Sequence, residues 1–227
     1  FTISVLGLLY RLLEQRGGRG RFGRRTFLLF HLSCVPAFAL SLLWNGPPFI
    51  VYALGAAAAA VQLAGLFFLA QDLRPLLNVK GRPGFLLRLA AAAFAAKLVL
   101  QAASAFPAVA RLAYLQRNFV IAYLHLVLIG FVSLAVFALV LLHMPVRRSV
   151  LLSAGLALFI GAFTATELLL VAQAFGWMLP RYTEYLLLLS MLMAAGTAAL
   201  AVCFLRVPSP FVAQTRARQT KEAELPF

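Results

Sequence analysis

Long apolar stretches alternate along this chain with short breaks rich in proline, glycine or charge. Six stretches stand out: 27–44, 49–70, 85–106, 119–142, 150–172 and 184–205. At about 1.5 Å rise per residue, each is long enough to cross roughly 30 Å of hydrocarbon. The first is the shortest and can start a few residues earlier. None alternates apolar with polar residues as a barrel strand does, so each reads as a helix. The pattern predicts an all-α fold, a polytopic membrane bundle of six transmembrane helices. The breaks are tight: Asn45-Gly-Pro-Pro48 and Asn78-Val-Lys-Gly-Arg-Pro-Gly84 are turns, and Pro107, Pro145 and Pro180 each close a span. Residues 1–26 form the end of a preceding helix and a basic loop, 27–205 the transmembrane domain, and 206–227 a polar tail.

Composition agrees. The chain is 63% hydrophobic and 11% charged, with a mean hydropathy of +0.95, more apolar surface than a soluble domain hides. It opens on Phe1 in an apolar run that breaks at Glu14. That reads as the tail of an earlier helix and implies a C-terminal half of something larger. Gly55 with the five alanines after it, and the alanines of 90–96, are small residues that let membrane helices approach closely.

The net charge of +14 is unevenly distributed. Basic residues gather before the first span (Arg11, Arg16, Arg19, Arg21, Arg24, Arg25) and in the second-to-third loop (Arg74, Lys80, Arg82, with Arg88 just inside the helix). More lie in the fourth-to-fifth loop (Arg147, Arg148) and in the tail. The opposite loops hold only Arg111, Arg117 and Arg181. This asymmetry predicts that the N-terminus and the C-terminus are cytoplasmic. The clusters fit anionic lipid headgroups, so the partner is the bilayer and not nucleic acid. Cys34 and Cys203 lie in spans near their cytoplasmic ends, with no spacing for a disulfide framework or covalent haem attachment.

Ionisable groups inside the apolar runs are the leading functional candidates. His125 lies about 9 Å below the outer end of the fourth span, Glu167 about 8 Å below that of the fifth, and Lys97 about 13 Å and Gln101 about 8 Å below that of the third. Tyr182 and Glu184 stand at the outer mouth of the sixth. Lys97, Gln101 and Glu167 form a possible intramembrane polar network, in which a Lys97–Glu167 pair is within reach. His31 and His143 lie at span ends and read as interfacial. No other histidine lies at the depth of His125, so this chain cannot supply two axial ligands to one iron. A metal at His125 needs a ligand from elsewhere or an open position.

The segment Ala122-Tyr-Leu-His-Leu-Val-Leu-Ile-Gly130 resembles the tenth-helix motif of heme-copper oxidase catalytic subunits, Ala-His-x-His-x-Val-x-x-Gly. The resemblance covers about nine residues, with a topological parallel over the remaining spans. It implies that His125 stands at the low-spin haem ligand position and that Tyr123 replaces the high-spin haem ligand. No histidine pair for copper is present, so it implies a divergent relative, like oxidase-like proteins of nitric oxide metabolism, without an oxygen-reducing centre. The cofactor implied is haem b, used for electron transfer or gas sensing. The implied partner is the N-terminal half or another membrane subunit, and the implied location a bacterial cytoplasmic membrane. Gly130 and Ala122 would leave room for helix packing or for the macrocycle. Two other readings stand beside this one: a proton-coupled transporter using Lys97, Gln101, His125 and Glu167, and a structural subunit whose polar residues join helices. Hydrolase and nucleotide motifs are absent, and Gly17-Gly-Arg-Gly20 lacks the strand and helix that a phosphate loop needs.

Overall fold

A computed structural model describes residues 2–15, 23–144, 146, 149–177 and 179–206, apart from the side chain of Trp44. The basic residues Arg16, Arg19, Arg21, Arg147 and Arg148, and the tail beyond Arg206, lie outside the described residues, as does Pro145. The described residues are helical, with no strand among them. Six helices are long and apolar enough to cross a membrane: Gly23–Leu43, Phe49–Asp72, Arg82–Ala103, Arg117–His143, Val150–Ala174 and Tyr182–Leu205.

Helix α1 (Thr2–Gln15) buries Val5, Leu6, Leu9, Leu12 and Leu13, a single face at helical spacing. Helix α2 (Gly23–Ala37) starts the first span four residues before the predicted point. It contains Pro36, which lacks the N–H for the α-helical hydrogen bond to Leu32, and the chain tightens into a 3₁₀ helix over Phe38–Asn45. With this longer span, Cys34 sits near its middle and not near an end, and it is exposed. Helix α3 (Phe49–Asp72) packs on the first span and buries Gly55, Ala58, Ala59, Gln62 and Gly65: Gly65 lies against Phe30 of α2, and Gly55 against Leu40 of the 3₁₀ segment. Of the run expected to allow close approach, Gly55, Ala58 and Ala59 are buried, whereas Ala56, Ala57 and Ala60 are exposed.

A short helix α4 (Arg74–Leu77) and the turn that follows lead into α5 (Arg82–Ala103). The turn depends on two glycines. Gly81 has φ +83°, and a Cβ on Gly84 would fall on the Val79 carbonyl. Helix α6 (Pro107–Leu115) occupies the next connection, which the sequence pattern marks only as a break. The fourth span has three parts: α7 (Arg117–His125), a π-helical segment Leu126–Ser133 and α8 (Leu134–His143). Helices α9 (Val150–Ala174) and α10 (Tyr182–Leu205) complete the bundle.

Each span runs antiparallel to the next. One face of the bundle therefore carries the starts of α2, α5 and α9, and we call it the basic face. Its polar contacts tie neighbours together. Asp72 ends α3, where a carboxylate opposes the helix dipole. It is buried and accepts hydrogen bonds from Tyr10 (2.6 Å) and Thr26 (2.7 Å), linking α1, α2 and α3. Arg82 donates to Ser153 at 2.6 Å, linking the starts of α5 and α9. The core lies between, where Phe131 of the π segment packs on Phe94 at 4.7 Å and Leu86, Ala135, Ala138 and Leu200 are fully enclosed. Large apolar side chains such as Val35 and Leu168 point outward, as lipid-facing residues do.

The tightest helix pair is α9–α10. A Cβ on Gly196 would lie 2.8 Å from the Phe159 amide nitrogen and 2.9 Å from the Gly155 carbonyl oxygen, so the two backbones touch there. A Cβ on Gly161, by contrast, would meet nothing within 4 Å. Gly196→Leu should therefore lower the melting temperature of the detergent-solubilised protein by about 3–10 °C through overpacking, while Gly161→Leu on the same helix pair leaves it near the wild-type value. Equal shifts for the two would show that α9 and α10 do not meet at Gly196.

Candidate functional site

The site lies between the fourth and fifth spans. Helix α7 and the C-terminal half of α9 face each other, and two polar pairs bridge them. Nearest the end of the span opposite the basic face, Asn118 Nδ2 donates to Gln173 Oε1 at 2.6 Å. Phe119 stacks edge-on against Phe175 beside it, with ring centroids 5.4 Å apart. Seven positions along α7 and six positions back along α9 lies the second pair, roughly 10 Å deeper at helical rise. There His125 Nδ1 and Glu167 Oε1 are 3.3 Å apart. Both atoms are buried, and neither has a hydrogen bond to any other group. The rest of the imidazole is partly open, since the His125 side chain keeps 33% of its exposure against 17% for Glu167. Thr166, next to Glu167, is buried and turns its hydroxyl onto the Ala162 carbonyl at 2.8 Å, so it does not serve the pair.

The backbone beneath His125 is unusual. The helix widens to π geometry at the next residue, Leu126. A π segment fits an extra residue into a helix, and such segments are frequent at functional positions. Here it satisfies two packing demands at once. Gly130 lets the span close on both neighbours, for a Cβ there would lie 3.0 Å from the Phe163 ring on α9 and 3.2 Å from the Ala93 methyl on α5. Phe131 meanwhile reaches Phe94 on α5. Ser133 donates to the carbonyl of Leu128, five residues back, at 3.0 Å, which gives one carbonyl of the widened turn a second partner.

The predicted network separates into two. Lys97 does not pair with Glu167. It donates to Gln101, one turn along its own helix. From the Ala93–Gly130 contact, Lys97 lies four residues and His125 five residues toward the same end, so the two are at nearly equal depth, roughly 6–8 Å from that contact. What divides them is azimuth: Lys97 and Gln101 share a face of α5, whereas His125 turns to α9. Depth alone does not fix which face of a helix a side chain occupies, and the Lys97–Glu167 pairing failed on that point. Asn118–Gln173 and the Asp72–Tyr10–Thr26 cluster were not singled out. A systematic match of polar residues at equal depth on consecutive spans would have found the first. The second depends on the packing of α1, which hydropathy does not give.

His31 stacks on Phe27 near the start of α2, with centroids 5.3 Å apart, and His143 ends α8 with Nδ1 2.9 Å from the Leu139 carbonyl. Neither approaches His125. Among the described residues there is no group of three or more histidine, cysteine, aspartate or glutamate side chains able to hold a metal ion. For haem, the chain offers one imidazole. The space at Gly130 is filled by Phe163 and Ala93, so the glycine serves helix packing and leaves no gap for a macrocycle there. No protein-family model matches the chain, and neither does any curated protein or solved structure.

The two bridging pairs differ in kind. Asn118–Gln173 is a neutral hydrogen bond and serves to join helices. Replacing either residue by alanine should destabilise the bundle, and the double variant should cost less than the sum. The coupling expected from a double-mutant cycle of thermal or steric-trap unfolding is about 0.6 kcal/mol, with about 1.7 kcal/mol as an upper bound for interhelical hydrogen bonds. A coupling of zero would show that the contact carries nothing.

Proposed function

We propose that this multi-pass membrane protein moves protons, and that His125 and Glu167 are the pair that exchanges them, in the manner of a proton-coupled transporter. The observation that carries this reading is the contact of a buried imidazole nitrogen with a buried carboxylate oxygen at 3.3 Å, inside two membrane-length helices. An isolated charge in hydrocarbon is costly, and ionisable groups there are retained chiefly for transport and relay roles. This pair stays neutral with its proton on either partner, as imidazolium with carboxylate or as imidazole with carboxylic acid. Moving the proton between them therefore changes no net charge in the low-dielectric interior. Removing it leaves one negative charge on the pair, which a second proton or a cationic substrate can neutralise. The partly open imidazole is the point of entry, and the enclosed carboxylate is the store. The polar rung at Asn118–Gln173 lies between the pair and the nearer membrane surface, which the distribution of basic residues assigns to the outside.

The test is proton flux into proteoliposomes holding a trapped pH dye, driven by an imposed membrane potential. Glu167→Gln and His125→Gln should each reduce the flux by about tenfold or more, while both variants keep the monodisperse elution of the wild type. Flux that survives in both would refute the reading.

A second reading, low-spin haem b on His125, draws on the same contact. A carboxylate on Nδ1 orients a histidine so that its other nitrogen can face a metal. His125 would hold the iron, with a further ligand supplied by a partner chain. Haem would contribute a one-electron couple, and Glu167 would hold the imidazole tautomer. A Soret band in the purified protein that disappears in His125→Ala supports this reading, and a colourless preparation from haem-replete cells rules it out.

A further inference from the structure

On the basic face, the turn before α5 forms one wall of a cavity of about 330 Å³. Lys80 and Arg82 line it, and Leu141, Val146 and Leu152 from the end of α8 and the start of α9 form the other side. Arg82 is held in place from one end: Nη2 donates to Ser153 at 2.6 Å, while Nη1 is buried and has no partner among the described residues. A guanidinium N–H shut away from water without an acceptor is a standing cost. No carboxylate among the described residues lines the cavity. At this end of the bundle Asp72 is occupied by Tyr10 and Thr26, and Glu14 at the end of α1 does not line the cavity. Arg88, the next basic side chain, donates to the Leu77 carbonyl and does not enter the cavity.

We propose that this cavity binds a phosphate group, and that the group is the headgroup phosphate of an anionic phospholipid. The Arg82 guanidinium, fixed by Ser153, and the exposed Lys80 ammonium supply the donors, in the two forms that suit a phosphate oxygen: a planar fork and a mobile point charge. The apolar half of the wall selects the source. A free phosphate ion gains nothing from Leu141, Val146 and Leu152, whereas the glycerol and first acyl carbons of a lipid can rest on them. The place suits it as well, since the cavity lies where three membrane-length helices begin or end, at headgroup level. The bound lipid would complete the hydrogen bonding of Arg82 and brace α5 against α8 and α9.

The experiment uses the whole protein, delipidated in a neutral detergent, and follows its melting temperature on titration with phosphatidylglycerol, phosphatidylcholine or inorganic phosphate. Phosphatidylglycerol should raise it saturably, and phosphatidylcholine should not. Arg82→Gln and Lys80→Gln should each weaken the half-saturating phosphatidylglycerol concentration by about tenfold or more. Arg88→Gln should leave it unchanged. Because Arg82→Gln also removes the bond to Ser153, Ser153→Ala is the matched control: it removes that bond, keeps the guanidinium, and should keep the response to lipid. A saturable response to inorganic phosphate as large as that to phosphatidylglycerol would overturn the lipid assignment and leave a free-anion site. Equal responses in wild type, Arg82→Gln and Lys80→Gln would overturn the site altogether.

Discussion

In hydrocarbon a polar group has no water to turn to, and this constraint governs the whole bundle. The backbone meets it by being helical almost throughout. The side chains meet it by pairing across helices at a few sites. Asp72 collects two hydroxyls from two other helices, Arg82 reaches Ser153, and Asn118 reaches Gln173. These are also the contacts that fix which helix lies next to which. Between them the helices meet through small residues and aromatic rings, with Gly155 and Gly196 letting two backbones touch. Apolar packing alone would not select one arrangement over its alternatives, since lipid tails are as apolar as the helix faces. The polar pairs remove that freedom.

His125–Glu167 differs from Asp72 and its two hydroxyls in being incompletely satisfied. Asp72 has two donors at normal hydrogen-bond length, but the imidazole and carboxylate meet at 3.3 Å with no further partner for either atom. A structural ion pair in a low-dielectric setting is expected to be supported by added hydrogen bonds. This pair has none, while Thr166, one residue away, spends its hydroxyl on its own backbone. Such an arrangement is poor as a brace. It suits groups whose protonation changes, because a full set of partners would lock one state.

Much of the architecture was legible from hydropathy. All six spans were found, and most of their ends differ by a few residues from the observed ones. The first span starts a few residues early, at Gly23, as its short apolar run suggests; the extension of the second to Asp72 went unseen because polar and charged residues at a helix end lower the apolar score without ending the helix. The short helices Arg74–Leu77 and Pro107–Leu115 were invisible for a related reason: they lie in the connections and owe their form to proline-led starts and local hydrogen bonds. At the site, the residues were legible and the pairing was not. His125, Glu167, Lys97 and Gln101 stand out in any membrane sequence. Their partners depend on helix azimuth, and the π segment rotates the fourth span in a way that no count of 3.6 residues per turn predicts.

The π segment has a consequence for how this span tolerates changes in length. An α-helix turns about 100° per residue, so one residue inserted or deleted within it swings everything on one side to a new face. Over Leu126–Ser133 the wide turn already stores surplus chain between two anchored parts, His125 facing α9 above and Phe131 facing α5 below. A single-residue deletion in that stretch can be absorbed by narrowing the turn to α geometry, with both anchors kept in register. The same deletion in α9 or α10, which have no such slack, would tear Gly155 from Gly196. The fourth span therefore carries a length buffer beside its most chemically demanding residue, and sequence drift in the apolar part of the span need not reach the imidazole.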